Sequence, residues 1–140
     1  MGKDKLYEGL LIPKDLNANY EKERINMDKH LIKNIEFSKV LTFENLVEYQ
    51  EGQVVSRTLS QGKPLSLTIF AFDKGEEISS HSAKGDAMVY ILDGAADITI
   101  GDGIFHVKKG ETIVMPSNIP HGLMAMERFK MLLVVVFSLE

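Results

Sequence analysis

After Gly52 the chain becomes a series of short apolar and β-branched runs, interrupted every eight to twelve positions by Gly, Pro, Asp or Asn. That rhythm predicts a sandwich or barrel of short strands. The predicted strands are 54–59, 65–72, 77–80, 87–92, 96–100, 104–108, 112–115, 122–126 and 129–137. Within 65–72, Leu65, Leu67, Ile69 and Ala71 alternate with Ser66, Thr68, Phe70 and Phe72, so both faces carry apolar side chains. Successive side chains point to opposite faces of a strand, which suits one face to a barrel interior and the other to a subunit interface. Asp93-Gly94 and Asp102-Gly103 read as tight hairpin turns, because glycine tolerates the positive φ that two-residue turns demand.

The pattern is different before Gly52. Residues 1–30 are dense in alternating charges, such as Glu21, Lys22, Glu23 and Arg24, and poor in β-branched residues. They predict an irregular or partly helical arm outside the core, with the barrel domain spanning 31–140. From 31 to 49 apolar residues recur irregularly, and Thr42 is placed to cap a helical turn running to Glu48.

Composition narrows the picture. A chain of 140 residues with 44% hydrophobic positions suits one continuous core. Twenty acidic and sixteen basic side chains, mixed along the sequence, give a net charge of -4 with no basic block to track a phosphate backbone. Nucleic acid is therefore not an expected partner. The start lacks the apolar core of a secretory leader, and the longest apolar run, 131–137, falls well short of the about 20 residues a membrane helix needs. With no cysteine in the chain, disulfides and thiolate ligands are excluded, and a cytoplasmic, non-membrane protein is expected. Any metal would have to be held by His, carboxylate or thioether groups.

Two spaced motifs carry the candidate chemistry. The first runs from Gly75 through His81, Ala83 and Ala87 to Gly94; the second contains Gly110, Pro116, Asn118, His121 and Ala125. Together they resemble the two motifs of the cupin superfamily. In the first motif of that family a glycine is followed after five residues by His-x-His, then a glutamate, then a second glycine. In the second, a glycine precedes Pro-x-Gly, a histidine and an asparagine. Here Gly75, His81, Gly94, Gly110, Pro116 and His121 match, whereas Ala83 stands at the second histidine, Ala87 at the glutamate, Asn118 at the glycine and Ala125 at the asparagine.

The resemblance implies an all-β fold, an antiparallel double-stranded β-helix of the jelly-roll type, with His81 and His121 meeting inside it. It also implies that two of four metal ligands are absent. No cofactor is then expected beyond a weakly bound divalent metal on His81 and His121. Asp86 and Glu77 are the candidates to restore a ligand: Asp86 adjoins the glutamate position, and Glu77 shares the strand parity of His81 at about 13 Å. The pocket residues expected are His81, His121, Met115, Ala83 and Ala87; no catalytic residue is assigned. Met88, Met115, Met124, Met126 and Met131 are either adaptable pocket lining or ordinary core filling. His30 and His106 are expected at the surface.

Three functions remain open on this reading. The first is a non-catalytic or weakly catalytic binding protein for a small apolar molecule, with the two imidazoles as polar contacts. The second is a metal-dependent enzyme of dioxygenase or isomerase type whose two-histidine site is completed by Asp86, Glu77 or water. The third is a structural dimeric module. The resemblance also favours a homodimer, with the arm as a candidate to reach the partner copy.

Overall fold

The computed structural model describes residues 30–138, and the architecture is all-β. Eight strands follow in order: β1 (Val54–Gln61), β2 (Leu65–Phe72), β3 (Glu77–His81), β4 (Asp86–Ile100), β5 (Gly103–Lys108), β6 (Thr112–Met115), β7 (His121–Met124) and β8 (Phe129–Val136). Every pairing is antiparallel. One sheet runs β1-β2-β8-β4-β6 and the other β5-β4-β7-β3, so β4 belongs to both. The result is the double-stranded β-helix that the motifs imply. The arm expected over 1–30 lies outside the described residues apart from His30, which is exposed.

The main departure from the sequence expectation is at Asp93-Gly94. Strands 87–92 and 96–100 form one continuous strand, and Asp93-Gly94 bends it without reversing it. One extra β4 residue between Ile91 and Asp93 makes a bulge against β8. Bulges bend a strand and increase its twist. Gly94 sits at φ +70°, and a Cβ there would collide with the carbonyl of Arg128. The bend hands the chain from one sheet to the other: residues up to Gly94 pair with β8, and those from Ala95 pair with β5. The second expected hairpin is present, its loop at Gly101-Asp102 with Ile100 opposite Gly103.

Strand alternation explains where the core sits. The inward residues of β2, β4 and β8, including Phe72, Ala87, Val89, Ile91, Phe129 and Met131, form the principal buried cluster. Phe72 stacks on Phe129 with ring centroids 4.4 Å apart and planes 13° from parallel. Such pairs contribute about 0.5–1.5 kcal/mol beyond the area they bury. The opposite face of β2 supplies a second cluster, in which Ile69 and Ala71 pack with Val47, Leu59 and Leu92. Cover for that end of the strand therefore comes from this chain's own residues. The segment that provides it is mostly irregular, with a single 3-10 turn at Phe43–Leu46. Thr42 stands at its N-cap, but its side chain makes no capping bond; only its carbonyl accepts, from the Asn45 amide at 3.0 Å.

A polar clamp lies just past the aromatic stack. Asp73 accepts from Arg128 Nε at 2.8 Å and from the Gly52 amide at 2.7 Å, tying the entry of β8 to the turn before β1. Arg128 and then the Gly52 amide hold its carboxyl down at about 2. Beside it, Tyr49 donates to Asp93 at 2.5 Å, and its ring lies under Arg128 and Lys130. Burial, reinforced by the Asp93 carboxylate, pushes the Tyr49 hydroxyl well above the ordinary phenol range.

Two outcomes are expected. Gly94→Ala should destabilise the fold by more than about 3 kcal/mol, since it adds a backbone collision to left-handed strain. Gly110→Ala, at φ +84° with open space around it, should cost only about 1–2 kcal/mol; denaturant titration of both variants compares them. For Asp73, the folded value of about 2 lies below the about 3.9 of an unfolded aspartate. Its stabilisation is then complete above about pH 4 and disappears as pH falls toward about 2. Asp73→Asn should flatten the loss of stability in that window, measured by urea unfolding across pH.

Candidate functional site

Two sheets that share a bent strand leave space between their inner faces. That space is a cavity of about 240 Å³. On one side stand Met131, Leu133 and Val135, the inward positions of β8, with Phe137 continuing the alternation. Ala87 of β4 and Met115 of β6 adjoin them, and Ile78, His81, His121 and Leu123 face them from β3 and β7. Ala83 and Gly85, between β3 and β4, complete the lining. All five residues expected at the pocket, His81, His121, Met115, Ala83 and Ala87, line this one cavity.

The two histidines are cross-strand partners, His81 on β3 opposite His121 on β7. Their ring centroids are 4.6 Å apart, edge to face. His121 is buried, at 4% exposure, while His81 is exposed. Each ring is held by the backbone two residues before it: His81 Nδ1 lies 3.1 Å from the Ser79 carbonyl and His121 Nδ1 lies 3.1 Å from the Ile119 carbonyl. A carbonyl only accepts, so each Nδ1 carries a proton and donates it. In the neutral imidazoles, Nε2 is then a bare acceptor on both rings. A neutral ring at this site therefore presents an acceptor, not a donor, at Nε2.

A bulge in β3 creates the juxtaposition. Ile78 opposes Leu123 and His81 opposes His121, so three steps on β3 match two on β7. Ile78 and His81 therefore both face inward, and Glu77 does not share the parity of His81. Glu77 is exposed and does not line the cavity. The bulged backbone lies so close to β7 that a Cβ at position 122 would come within 2.9 Å of the Ile78 carbonyl oxygen, which explains a glycine directly after His121.

The segment that carries Ala83 and Gly85 into the cavity lining is fastened by the other candidate carboxylate. Asp86 accepts from the Ser117 amide at 2.8 Å, and Ser117 Oγ accepts from the Gly85 amide at 3.0 Å. The Asn118 amide donates to the Ala83 carbonyl at 2.8 Å. Asp86 is exposed and committed to this clasp, so neither it nor Glu77 joins the imidazoles. Asn118 takes φ +64°, a left-handed conformation that asparagine tolerates, which is why it can stand where the family motif has glycine. Among the described residues no three His, Asp or Glu side chains are grouped to hold a metal ion. The donor set does not fit a resident divalent metal, because two imidazoles leave most coordination positions to water.

The remaining candidates divide between the cavity and the surface. Of the methionines, Met115 and Met131 line the cavity, whereas Met88 and Met126 are exposed. His106 is exposed and bonded to Asp97 at 2.7 Å, in agreement with a surface position. A wider, open groove of about 720 Å³ passes Asn34, Leu46 and Arg57, but among the described residues Glu48 is its only carboxylate and no imidazole lines it. The alternation of 131, 133, 135 and 137 could have flagged the apolar wall in advance; the Ser79-Ser80 bulge left no comparable signal.

Residues 68–137 match the cupin domain family. Among solved structures, a conserved protein of unknown function from Streptococcus pyogenes is 49% identical, with 81% of this chain and 100% of that one aligned at a TM-score of 0.79. A cupin superfamily protein from Desulfitobacterium hafniense is 30% identical, over 76% of this chain and 98% of that one, with a TM-score of 0.73. A cupin 2 conserved barrel domain protein from Leptotrichia buccalis is 48% identical over 66% of this chain, with a TM-score of 0.65; the match spans 45% of that longer chain. No curated protein matches.

The cavity positions of Ala83 and Ala87 generate a gain-of-function test. Ala83→His combined with Ala87→Glu should add an imidazole and a carboxylate beside His81 and His121, raising divalent-metal affinity at least about 100-fold. Isothermal titration with zinc or manganese reads this directly. A folded double variant with unchanged affinity would mean that these positions do not converge on the imidazoles.

Proposed function

We propose that this chain, which belongs to the cupin family, is a small-molecule-binding protein whose ligand is a single-ring or similarly compact apolar molecule carrying one acidic hydroxyl or carboxyl group. One observation carries the reading: among the described residues, His81 and His121 are the only polar side chains lining an otherwise apolar cavity. Its volume of about 240 Å³ exceeds the about 150 Å³ that accommodates benzene and lies below the about 300 Å³ at which drug-sized pockets begin. Aliphatic and thioether side chains supply dispersion contacts to the ring.

Tautomer chemistry selects the polar group. With Nδ1 donating to backbone on both rings, the neutral pair offers two acceptors and no donor. A phenol or a carboxylic acid brings the proton that such a pair needs, whereas a ketone or ester does not. A carboxylate entering without a proton would be buried as an unpaired charge, which is strongly unfavourable. An acid that shares its proton with an imidazole satisfies both partners.

Thermal-shift measurements with benzoic acid, phenol and toluene test the proposal. At ten times its Kd a ligand contributes about 1.4 kcal/mol, or a rise of about 4–8 °C in a domain of this size. The acid and the phenol should give that rise, and His121→Phe and His81→Phe should abolish it. Benzoate affinity should increase from about pH 8 to about pH 6, because the complex takes up a proton that the free anion lacks. Equal shifts in wild type and both variants, or none with any member of the series, would leave the structural-module reading in its place.

A further inference from the structure

The inner face of the first sheet changes from apolar to hydroxyl-bearing where it passes the edge of the cavity. One row runs from Val89 of β4 through Leu133 of β8 to Thr68 of β2; the next runs from Ala87 through Val135 to Ser66. Alternation along β2 fixes their direction. Phe70 and Phe72, of the same parity as Ser66 and Thr68, pack with the principal core, whereas Leu67, Ile69 and Ala71 belong to the outer cluster. Leu133 and Val135 line the cavity, so Thr68 and Ser66 stand one strand, about 4.8 Å, beyond its wall. Both are half-buried, and among the described residues no group bonds to either hydroxyl.

The topology sets these hydroxyls across the barrel from the imidazoles. β8 and β7 flank the two limbs of β4 on the same side of its bend, and β2 and β3 are the next strands out. β3 therefore faces β2. Distance from the bend agrees: Ile100, six residues past Gly94, aligns with His121 and His81, while Val135, six residues past the Phe129 that opposes Gly94, aligns with Ser66. Thr68 is one inward position nearer the bend. His81 is exposed on the last strand of its sheet, which marks this flank as the side where the cavity meets solvent. Deeper in, His121 is 4% exposed, and among the described residues its Nε2 has no hydrogen-bond partner. One lip of the flank thus carries acceptors and the other carries two unengaged hydroxyls, on strands spaced about 10 Å apart as in packed sheets.

We propose that Ser66 and Thr68 complete a carboxylic-acid site with the imidazoles and select acids over phenols, an inference that rests on reading the cavity as a ligand site. The two oxygens of a carboxyl group have different needs. Its O–H donates to a bare Nε2, while its carbonyl oxygen requires a donor, which neutral imidazoles held through Nδ1 lack and a Ser or Thr hydroxyl supplies. A phenol presents one oxygen, so a bond to Nε2 on one lip leaves the hydroxyls on the other out of reach. With the carboxyl held at the flank, the body of the molecule points inward to Leu123 and Met131, where only apolar groups are met. The ligand class is then a monocarboxylic acid with a compact apolar body, because a second charged group would be buried there without a partner.

Isothermal titration of benzoic acid and of phenol into the full chain, at a single pH, tests this. Ser66→Ala combined with Thr68→Val should weaken benzoic acid about 3- to 10-fold, the net effect of one neutral hydrogen bond, and leave phenol within about twofold of wild type. Thr68→Ser keeps the hydroxyl and should bind both compounds as wild type does. Retained phenol affinity is also the check that the cavity of the double variant is intact. Unchanged benzoic acid affinity in the double variant, or equal weakening of acid and phenol, would overturn the proposal while the ligand reading stands. If neither compound binds wild type, both are overturned together.

Discussion

The architecture turns on the close approach of Gly94 to the Arg128 carbonyl, where β4 leaves one sheet and enters the other. No other residue type fits there, because left-handed φ and a carbonyl in the path of Cβ act together. Directly beside the bend come the Phe72-Phe129 stack and the Asp73-Arg128 clamp, so the corner is braced by packing on the inside and by charge at the rim. Had β4 stayed straight, the sheets would not face each other, and there would be no cavity for the inward side chains to line.

The site depends on a second local irregularity. The β3 bulge sets Ile78 and His81 on one face and makes His81 the cross-strand neighbour of His121. Backbone carbonyls two residues before each histidine then fix which ring nitrogen holds the proton. Alanine at positions 83 and 87 keeps the surrounding wall apolar. Asp86, one residue from the latter, serves the clasp to Ser117. The chemistry of the site is therefore that of two paired acceptors in an apolar surround, unlike the multi-carboxylate, multi-imidazole clusters that hold divalent ions.

Strand alternation links the inside of the barrel to its outside. In β8, Met131, Leu133 and Val135 face the cavity while Leu132, Val134 and Val136 face away. The same holds for Ala87 and Met88, and for Met115 and Val114. These strands are apolar on both sides, although Met88, Val114 and Val136 are exposed on the outer one. The irregular segment around Val47 covers one end of the outer face, and this accounts for the apolar positions before Gly52 that form no strand.

Much of this was legible in the sequence. Period-two alternation and turn residues located every strand to within a few positions, and the spacing of Gly75, His81, Gly94, Pro116 and His121 was enough to bring His81, His121, Ala83, Ala87 and Met115 to one cavity. Those features are local: they depend on neighbours along a strand or on fixed intervals between strands. The sequence misled where a local signal has two structural solutions. Asp93-Gly94 fits a hairpin as well as a bend, and only the pairing of β4 with β8, nearly forty residues later, selects the bend. Glu77 shares parity with His81 in any regular strand, and only the extra residue opposite β7 removes it. Asp86 looks available until Ser117, just past the neighbouring strand β6, donates its amide to it. The sequence by itself determined which residues could meet; register, bulges and the competition for hydrogen bonds, all set by distant strands, decided which of them do.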